Sequence, residues 1–262
     1  MKILLTNDDG IYADGLQALC NLFRHHHDVT VVAPDRERSA VGHGITLQSP
    51  LRCKRINFKN KLTGYAVNGL PADCIKLGVH ELIKGKPDLV ISGINLGANV
   101  GVNINYSGTV AAAKEAALYG IPAIAASIFN GDKLHFSEAA RFIEGLADKV
   151  IEESLELGTF LNVNLPDLPL DRILGVRLSR QGIGLFPEYF EKRLDPRKQI
   201  YYWQGCDALP AGQDSDIDSA VLYQGFISIT PIKCDMTDYH GLKCLKKWGL
   251  ENGFRRSVLK ID

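Results

Sequence analysis

Residues 2–10 read KILLTNDDG, a short apolar run that ends in two adjacent acids and a glycine. An apolar run of this length, closed by a turn signal, is typical of a buried β-strand. The apolar residues that follow recur with a helical period, which predicts a helix directly after the acidic turn. They are Leu16, Leu19, Cys20 and Phe23.

The same alternation of strand and helix continues through the first half of the chain. Continuously apolar strands separated by helices predict a mostly parallel sheet with helices on both faces, a three-layer, Rossmann-like α/β fold. Ser137 is the predicted N-cap of a later helix. Further strands are predicted at 29–33, 88–92 and 121–126, and further helices at 75–82 and 109–119.

Two regions depart from this alternation. Residues 51–67 predict an inserted β-hairpin, because two strand-like runs flank a polar KNK turn. After about residue 175 the chain becomes β-rich. We therefore expect a single α/β domain over 1–262, with a core of about 1–178 and a C-terminal elaboration of about 179–262 that makes oligomer contacts. The late strands are predicted at 173–178, 200–203 and 226–230, before a last helix at 240–248.

Charge and composition exclude several functional classes. The 262 residues include 30 Lys plus Arg and 30 Asp plus Glu, so the formal net charge is zero. A general nucleic-acid or membrane-surface binder would need a basic excess. No apolar run approaches the length of a membrane helix, and Met1 leads straight into a strand, so we expect a cytoplasmic protein. The six cysteines form no CxxC pair, which argues against zinc and disulfides.

Polar residues gather where the predicted strands end. Open parallel sheets bind ligands beyond the carboxyl ends of their strands. Polar segments at 7–10, 34–39 and 93–101 follow three of these strands, and the last of them leads on to a helix start near 107–109. We expect all of them at one edge of the sheet.

Asp8 and Asp9 are the candidate catalytic and metal-binding pair. Adjacent carboxylates repel each other unless a cation lies between them. Ser39 and Asn95 are the expected co-ligands, and an all-oxygen set of this kind suits Mg²⁺ or Mn²⁺. The alternative is a polar turn in which Asp14 caps the helix, with Ser39 and Asn95 as ordinary turn residues.

Ser107, Gly108 and Thr109 form the candidate phosphate site. A helix that starts with these residues offers free N–H groups, hydroxyls and the positive end of the helix dipole to an anion. Asn7, beside the acidic pair, belongs to the same candidate set. The alternative is a plain N-cap without a ligand.

Three common signatures are missing from the sequence. It has no GxxxxGK[ST], no GxGxxG after the first strand and no GxSxG. These absences argue against an ordinary P-loop NTPase, a dinucleotide-binding domain and a hydrolase with a nucleophile elbow.

Taken together, the motifs resemble those of the SurE family, the stationary-phase survival proteins, which are metal-dependent 5′-nucleotidases. The resemblance covers nearly the whole chain. Its pieces are ILLTNDDGIYADGL at 3–16, VVAPDRERSAVGHGITL at 31–47, NGLPADCIKLG at 68–78, PDLVISGINLGANVG at 87–101, YSGTVAAAKEAALYGIPAIAAS at 106–127, YYW at 201–203 and GFISITPIKCDMTDY at 225–239.

The resemblance implies a specific site and assembly. It implies one divalent ion per subunit, held at the positions of Asp8, Asp9, Ser39 and Asn95, and phosphate near Ser107–Thr109. It also implies a homodimer or homotetramer formed through an exchanged C-terminal segment.

The functional hypothesis is the metal-dependent hydrolysis of nucleoside monophosphates to nucleoside and phosphate, by in-line attack of water. In this hypothesis Asp8 is a metal ligand, a base or a nucleophile. Two alternatives stay open at this point: a nucleotide- or anion-binding module without catalysis, and a metal-dependent glycosyltransferase.

Overall fold

A computed structural model describes residues 1–58, 62–129, 131, 133–184, 188–206, 216–248 and 250. It contains the strands β1 Lys2–Thr6, β2 Asp28–Pro34, β3 Cys53–Asn57, β4 Thr63–Val67, β5 Leu89–Leu96, β6 Ala123–Ile128, β7 Thr159–Leu165, β8 Val176–Leu178, β9 Glu188–Leu194, β10 Ile200–Cys206 and β11 Ile227–Lys233. The α-helices are α1 Asp14–Phe23, α2 Pro71–Leu77, α3 Gly108–Leu118, α4 Phe136–Glu153, α5 Asp218–Tyr223 and α6 Tyr239–Lys246.

Nine of these strands form one sheet in the order β3-β4-β2-β1-β5-β6-β7-β11-β8. The six strands from β4 to β7 run parallel. The chain passes from β1 to β2 on one side and returns later to β5 on the other, so the order reverses at β1. A crevice opens beyond the strand ends at such a switch point.

Helices cover both faces of the sheet. Strand side chains such as Leu5 pack with α1 and α4 on one face, and alternate side chains such as Leu4 pack with α2 and α3 on the other. The alternation follows from the two-residue period of a strand. The predicted three-layer α/β fold is confirmed.

The predicted hairpin at 51–67 is also confirmed. β3 and β4 pair in antiparallel fashion, and β4 joins the main sheet beside β2. At the opposite edge, β11 pairs antiparallel with β7 and parallel with β8. Part of the segment predicted to be a C-terminal elaboration is therefore a strand of the main sheet.

Two local predictions were wrong. The helix expected to be capped by Ser137 is α4, which starts at Phe136 with His135 as its N-cap. Asp167 accepts hydrogen bonds from the amides of Leu134 and His135, so a distant carboxylate fixes the backbone just before the helix. The strand expected to end at Ser92 continues to Leu96, with an irregularity in its pairing to β6.

β9 and β10 form a separate two-stranded ribbon, here called the arm. Every β9 side chain is exposed, and the arm carries several exposed aromatic residues. They are Tyr189, Phe190, Tyr201, Tyr202 and Trp203.

Within the described residues, no helix is long and apolar enough to cross a membrane. The five cysteines whose side chains are described are free thiols.

Candidate active site

A cleft of about 940 Å³ lies at the switch point of the sheet. Asp8, Asp9, Ser39 and Asn95 all line it, and so does Ser107. The structure therefore brings together the four residues predicted as metal ligands, although they come from three separate segments.

Asp8 lies two residues after the end of β1 and is almost completely buried. Thr109 Oγ1 donates a hydrogen bond to Asp8 Oδ1. Burial raises the pKa of Asp8, while hydrogen bonds from the Thr109 side chain and from the amides of Thr109 and Gly108 oppose that rise. The N-terminus of α3 thus faces the Asp8 carboxylate, which is the favourable end of the helix dipole for an anion.

Asp9 lies beside Asp8 and is less buried. Burial, together with the negative charges of Asp8 and Glu37, raises the pKa of Asp9 to about 6, and a hydrogen bond from the Leu96 backbone counteracts this. Carboxylates that share a site repel one another in this way when no cation is between them. The pair therefore has the electrostatic character of a cation site.

Ser39 reaches the cleft from the segment after β2. Ser39 Oγ donates to Glu37 Oε1 at 2.6 Å, which leaves the lone pairs of the hydroxyl available as a ligand. The amide of Arg38 donates to the Asp8 carbonyl at 2.7 Å, so the segment is fastened to the end of β1. Gly10, with φ +100°, allows the close approach, since a Cβ there would lie 3.0 Å from the Arg36 carbonyl carbon.

Asn95 lies within β5, where the sequence predicted a loop. Asn95 Nδ2 donates to the Gly97 carbonyl at 2.6 Å, which fixes the carboxamide and turns its oxygen away from this bond. Helix α1 packs tightly behind this position, because a Cβ on Gly15 would lie only 1.9 Å from the Ile94 carbonyl oxygen. The glycine holds α1 and the site strand in direct contact.

The candidate phosphate residues are placed differently from one another. Ser107 is the N-cap of α3 and accepts a hydrogen bond from the Val110 amide at 3.1 Å. Thr109 is fully buried against Asp8. Asn7 is also fully buried and donates to the Gly10 carbonyl at 3.0 Å. Of these side chains, Ser107 is the one that lines the cleft.

Sequence reasoning missed several other residues of the cleft. Asn99 is fixed through both its backbone and its side chain. The backbone N–H donates to Asn164 Oδ1 at 2.7 Å, and the side-chain Nδ2 donates to Ser127 Oγ at 2.8 Å. The GINLGANVG motif gave a usable signal for Asn99 but none for the others. The other missed lining residues include Glu37, Tyr106, Glu188 and Gln204.

The donor set fits a hard divalent ion. Within the part of the chain that is described, no three His, Cys, Asp or Glu side chains are grouped to hold a metal. An ion here would therefore need Ser39 and Asn95 besides the two aspartates. Carboxylate, hydroxyl and amide oxygens are the ligands that Mg²⁺ and Mn²⁺ prefer.

Comparison with known proteins gives one consistent result. The family described as "Survival protein SurE" matches residues 3–187. The 5′-nucleotidase SurE of Desulfatibacillum aliphaticivorans is 56% identical over 96% of this chain and 99% of its own. That of Syntrophobacter fumaroxidans is 49% identical over 95% and 100%. The crystal structure of the SurE protein from Aquifex aeolicus has a TM-score of 0.83 at 37% identity and covers 94% of this chain and 98% of its own.

Proposed function

Because the chain belongs to the SurE family, we propose that it is a metal-dependent 5′-nucleotidase, which hydrolyses nucleoside monophosphates to nucleoside and phosphate. The observation that carries the proposal is the convergence of Asp8, Asp9, Ser39 and Asn95 on one cleft. The names of the relatives support the choice of substrate.

One divalent ion per subunit, Mg²⁺ or Mn²⁺, would be held by these four residues. When bound, the ion supplies Lewis-acid chemistry that offsets negative charge on a phosphate oxygen. The chain's own contacts keep the ligands in place. Thr109 donates a hydrogen bond to one oxygen of Asp8, Glu37 accepts one from the Ser39 hydroxyl, and the Gly97 carbonyl accepts one from Asn95.

The phosphate group would lie between this pair of aspartates and the start of α3. Ser107 lines the cleft at that end, and Gly108 keeps the backbone free of side-chain bulk. Asn7 and Thr109 would support the phosphate indirectly, because their side chains are fully buried and do not line the cleft. In this proposal a water molecule is the nucleophile, and Asp8 and Asp9 are the catalytic carboxylates.

The nucleoside would occupy the outer part of the cleft. A volume of about 940 Å³ is far more than a phosphate ion needs and falls within the roughly 300–1,000 Å³ of small-molecule sites. Tyr106 offers a half-exposed ring for a base to stack on, and Glu188 and Gln204 offer polar groups from the arm.

A phosphatase screen tests the proposed function. Phosphate release from 5′- and 3′-nucleoside monophosphates is measured with EDTA and after adding back Mg²⁺ or Mn²⁺. Asp9→Asn should lower both ion affinity and kcat/KM by at least about 100-fold. Asp14→Asn is the matched control, because Asp14 is exposed on α1 and does not line the cleft. Normal turnover by Asp9→Asn would refute the proposal.

We also propose a homodimer or homotetramer assembled through the arm. Its several exposed aromatic residues are of the kind that mark protein–protein interfaces. Light scattering tests this: Trp203→Glu should shift the mass toward the monomer. Leu157→Glu, at an exposed site outside the arm, should not. A wild-type monomer at micromolar concentration would contradict the assembly.

A further inference from the structure

Asp218 is a fully buried carboxylate that the proposed chemistry does not use. It begins α5, and all its described hydrogen bonds are to backbone amides. Asp218 Oδ2 accepts from Gly101 at 2.8 Å, and Oδ1 accepts from Gly182 at 3.1 Å and from Ser219 at 2.8 Å. Burial raises the pKa of Asp218, and these hydrogen bonds oppose the rise.

Gly101 is held from both sides by the C-terminal part of the chain. Its amide donates to Asp218, and its carbonyl accepts from Gln181 Nε2 at 2.9 Å. Its φ of +59° is a left-handed conformation that favours glycine. We call Asp218 and Gln181 the clasp.

The backbone segments that carry the two clasp residues are paired with each other. The Arg180 amide donates to the Asp216 carbonyl at 2.9 Å, and the Asp218 amide donates to the Arg180 carbonyl at 2.9 Å. The two side chains of the clasp therefore extend from paired backbone segments and do not move independently of each other.

Gly101 sits between the two halves of the candidate site. Asn95 lies before it on β5, and Ser107 lies after it at the start of α3. A single turn of 3₁₀-helix, Gly101–Asn105, connects Gly101 to Tyr106, whose carbonyl accepts from the Gly42 amide at 2.9 Å. Gly101 is thus connected to Ser107 through this helix, since the Ser107 amide donates to the Asn103 carbonyl at 3.1 Å.

We propose that Asp218 is a positioning residue for the reaction. Together with Gln181 it holds Gly101, and through Gly101 it keeps the phosphate site at Ser107 correctly placed relative to the proposed metal ligands. The inference rests on the proposed function for its catalytic meaning. The contact itself joins residues 117 positions apart in the chain.

Asp218→Asn disrupts the clasp selectively. An asparagine that keeps its oxygen toward Gly182 and Ser219 must turn its NH₂ group toward the Gly101 amide, so two donors face each other. The Gly101 amide then loses a bond to a charged acceptor, and its hydrogen exchange should become more than about tenfold faster. Gln181→Ala removes the other half of the clasp and should act in the same direction more weakly.

The experiment combines exchange with kinetics on the full-length protein. Hydrogen exchange of a peptide spanning 97–109 is measured in the wild type, Asp218→Asn, Gln181→Ala and Asp216→Asn. The last is the matched control, because Asp216 is exposed and its carboxylate pairs with Arg180 at 2.9 Å, whereas the clasp bonds to Gly101 come from Asp218 and Gln181. In Asp218→Asn, the KM for a nucleoside monophosphate and the inhibition constant of inorganic phosphate should each rise about tenfold. The affinity for Mn²⁺ should stay within about twofold of the wild-type value.

The outcomes separate the inference from the proposed function. A wild type that releases no phosphate refutes the proposed function. Hydrogen exchange of the peptide 97–109 still shows in that case whether the clasp holds Gly101. Unchanged exchange in Asp218→Asn, or equal losses of Mn²⁺ affinity and phosphate binding, would overturn the positioning role. If Asp218→Asn does not fold, the exchange and kinetics of Gln181→Ala decide, and wild-type values there would overturn it.

Discussion

Gly108→Ala should damage the site without replacing any of the four proposed metal ligands. A Cβ at Gly108 would lie 2.7 Å from Asp8 Cβ and 2.9 Å from Asp8 Oδ2. Ordinary van der Waals contact begins at 3.4 Å, so the added methyl requires about 0.7 Å of movement. Asp8 cannot simply turn aside, because Thr109 holds its carboxylate and the Arg38 amide holds its carbonyl.

The expected cost follows from this displacement. Misplacement of a catalytic group by about 1 Å can cost roughly 100-fold in rate, or about 2.7 kcal/mol. We expect kcat/KM for nucleoside monophosphates to fall between about 10- and 100-fold in Gly108→Ala, and Mn²⁺ affinity to fall with it. Steady-state phosphate release and calorimetric Mn²⁺ titration measure the two effects.

Gly145→Ala is the matched control. Gly145 lies inside α4 and has no atom within 4 Å of an added Cβ, so alanine there should leave activity unchanged and stabilise the helix by about 0.5–1 kcal/mol. Near-normal activity and Mn²⁺ affinity in a folded Gly108→Ala would show that α3 and Asp8 are not packed as described, and would refute the reasoning.

Two pH dependences follow from the charged groups. Because the pKa of Asp9 is about 6 without an ion, a bound proton must be displaced on binding, so Mn²⁺ affinity should fall about tenfold per pH unit below 6; equal affinities by calorimetry at pH 5 and pH 7 would contradict this. Burial alone would raise the pKa of Glu115, but hydrogen bonds from His43 and Lys76 hold it below its ordinary value of 4.5. This depressed pKa stabilises the fold above pH 4.5, and the stabilisation is lost as pH falls through the lower, folded-state pKa. Glu115→Gln should therefore be about 2 kcal/mol less stable than wild type in urea unfolding at pH 7, with a gap that narrows toward pH 3; a gap that does not change with pH would contradict it.

The acidic end of the site was predictable because its signal is local. An apolar run that stops at Asp8 and Asp9 marks a strand end, and parallel strands deliver such ends to one edge. The same reasoning predicted the central strands β1, β2, β5 and β6, since each of these buried strands and each amphipathic helix carries its signal in its own residues.

The strands that were missed lack that local signal. β7 reads TFLNVNL, and two asparagines interrupt its apolar run. Asn162 and Asn164 are fully buried because both donate to the carbonyl of Asn99, a partner more than 60 positions away. β9 reads EYFEKRL and has no buried face, so no period marks it.

The start of α3 has a contact that its sequence motif did not predict. Ser107, Gly108 and Thr109 were predicted as a phosphate cradle from the free groups of a helix start. In the folded chain the Thr109 hydroxyl and two of the amides face Asp8. Nothing local to 107–109 could reveal this, because Asp8 is about 100 positions away.

That arrangement makes the binding of the phosphate monoester depend electrostatically on the binding of the divalent ion. The start of α3 carries about half a positive charge, which is already directed at Asp8. Asp8, Asp9 and Glu37 together bring up to three negative charges to the same cleft. A phosphate monoester would meet net repulsion there until a divalent ion offsets those carboxylates. The ion is then a condition for substrate binding as well as for hydrolysis, and the EDTA arm of the phosphatase screen reports on both steps.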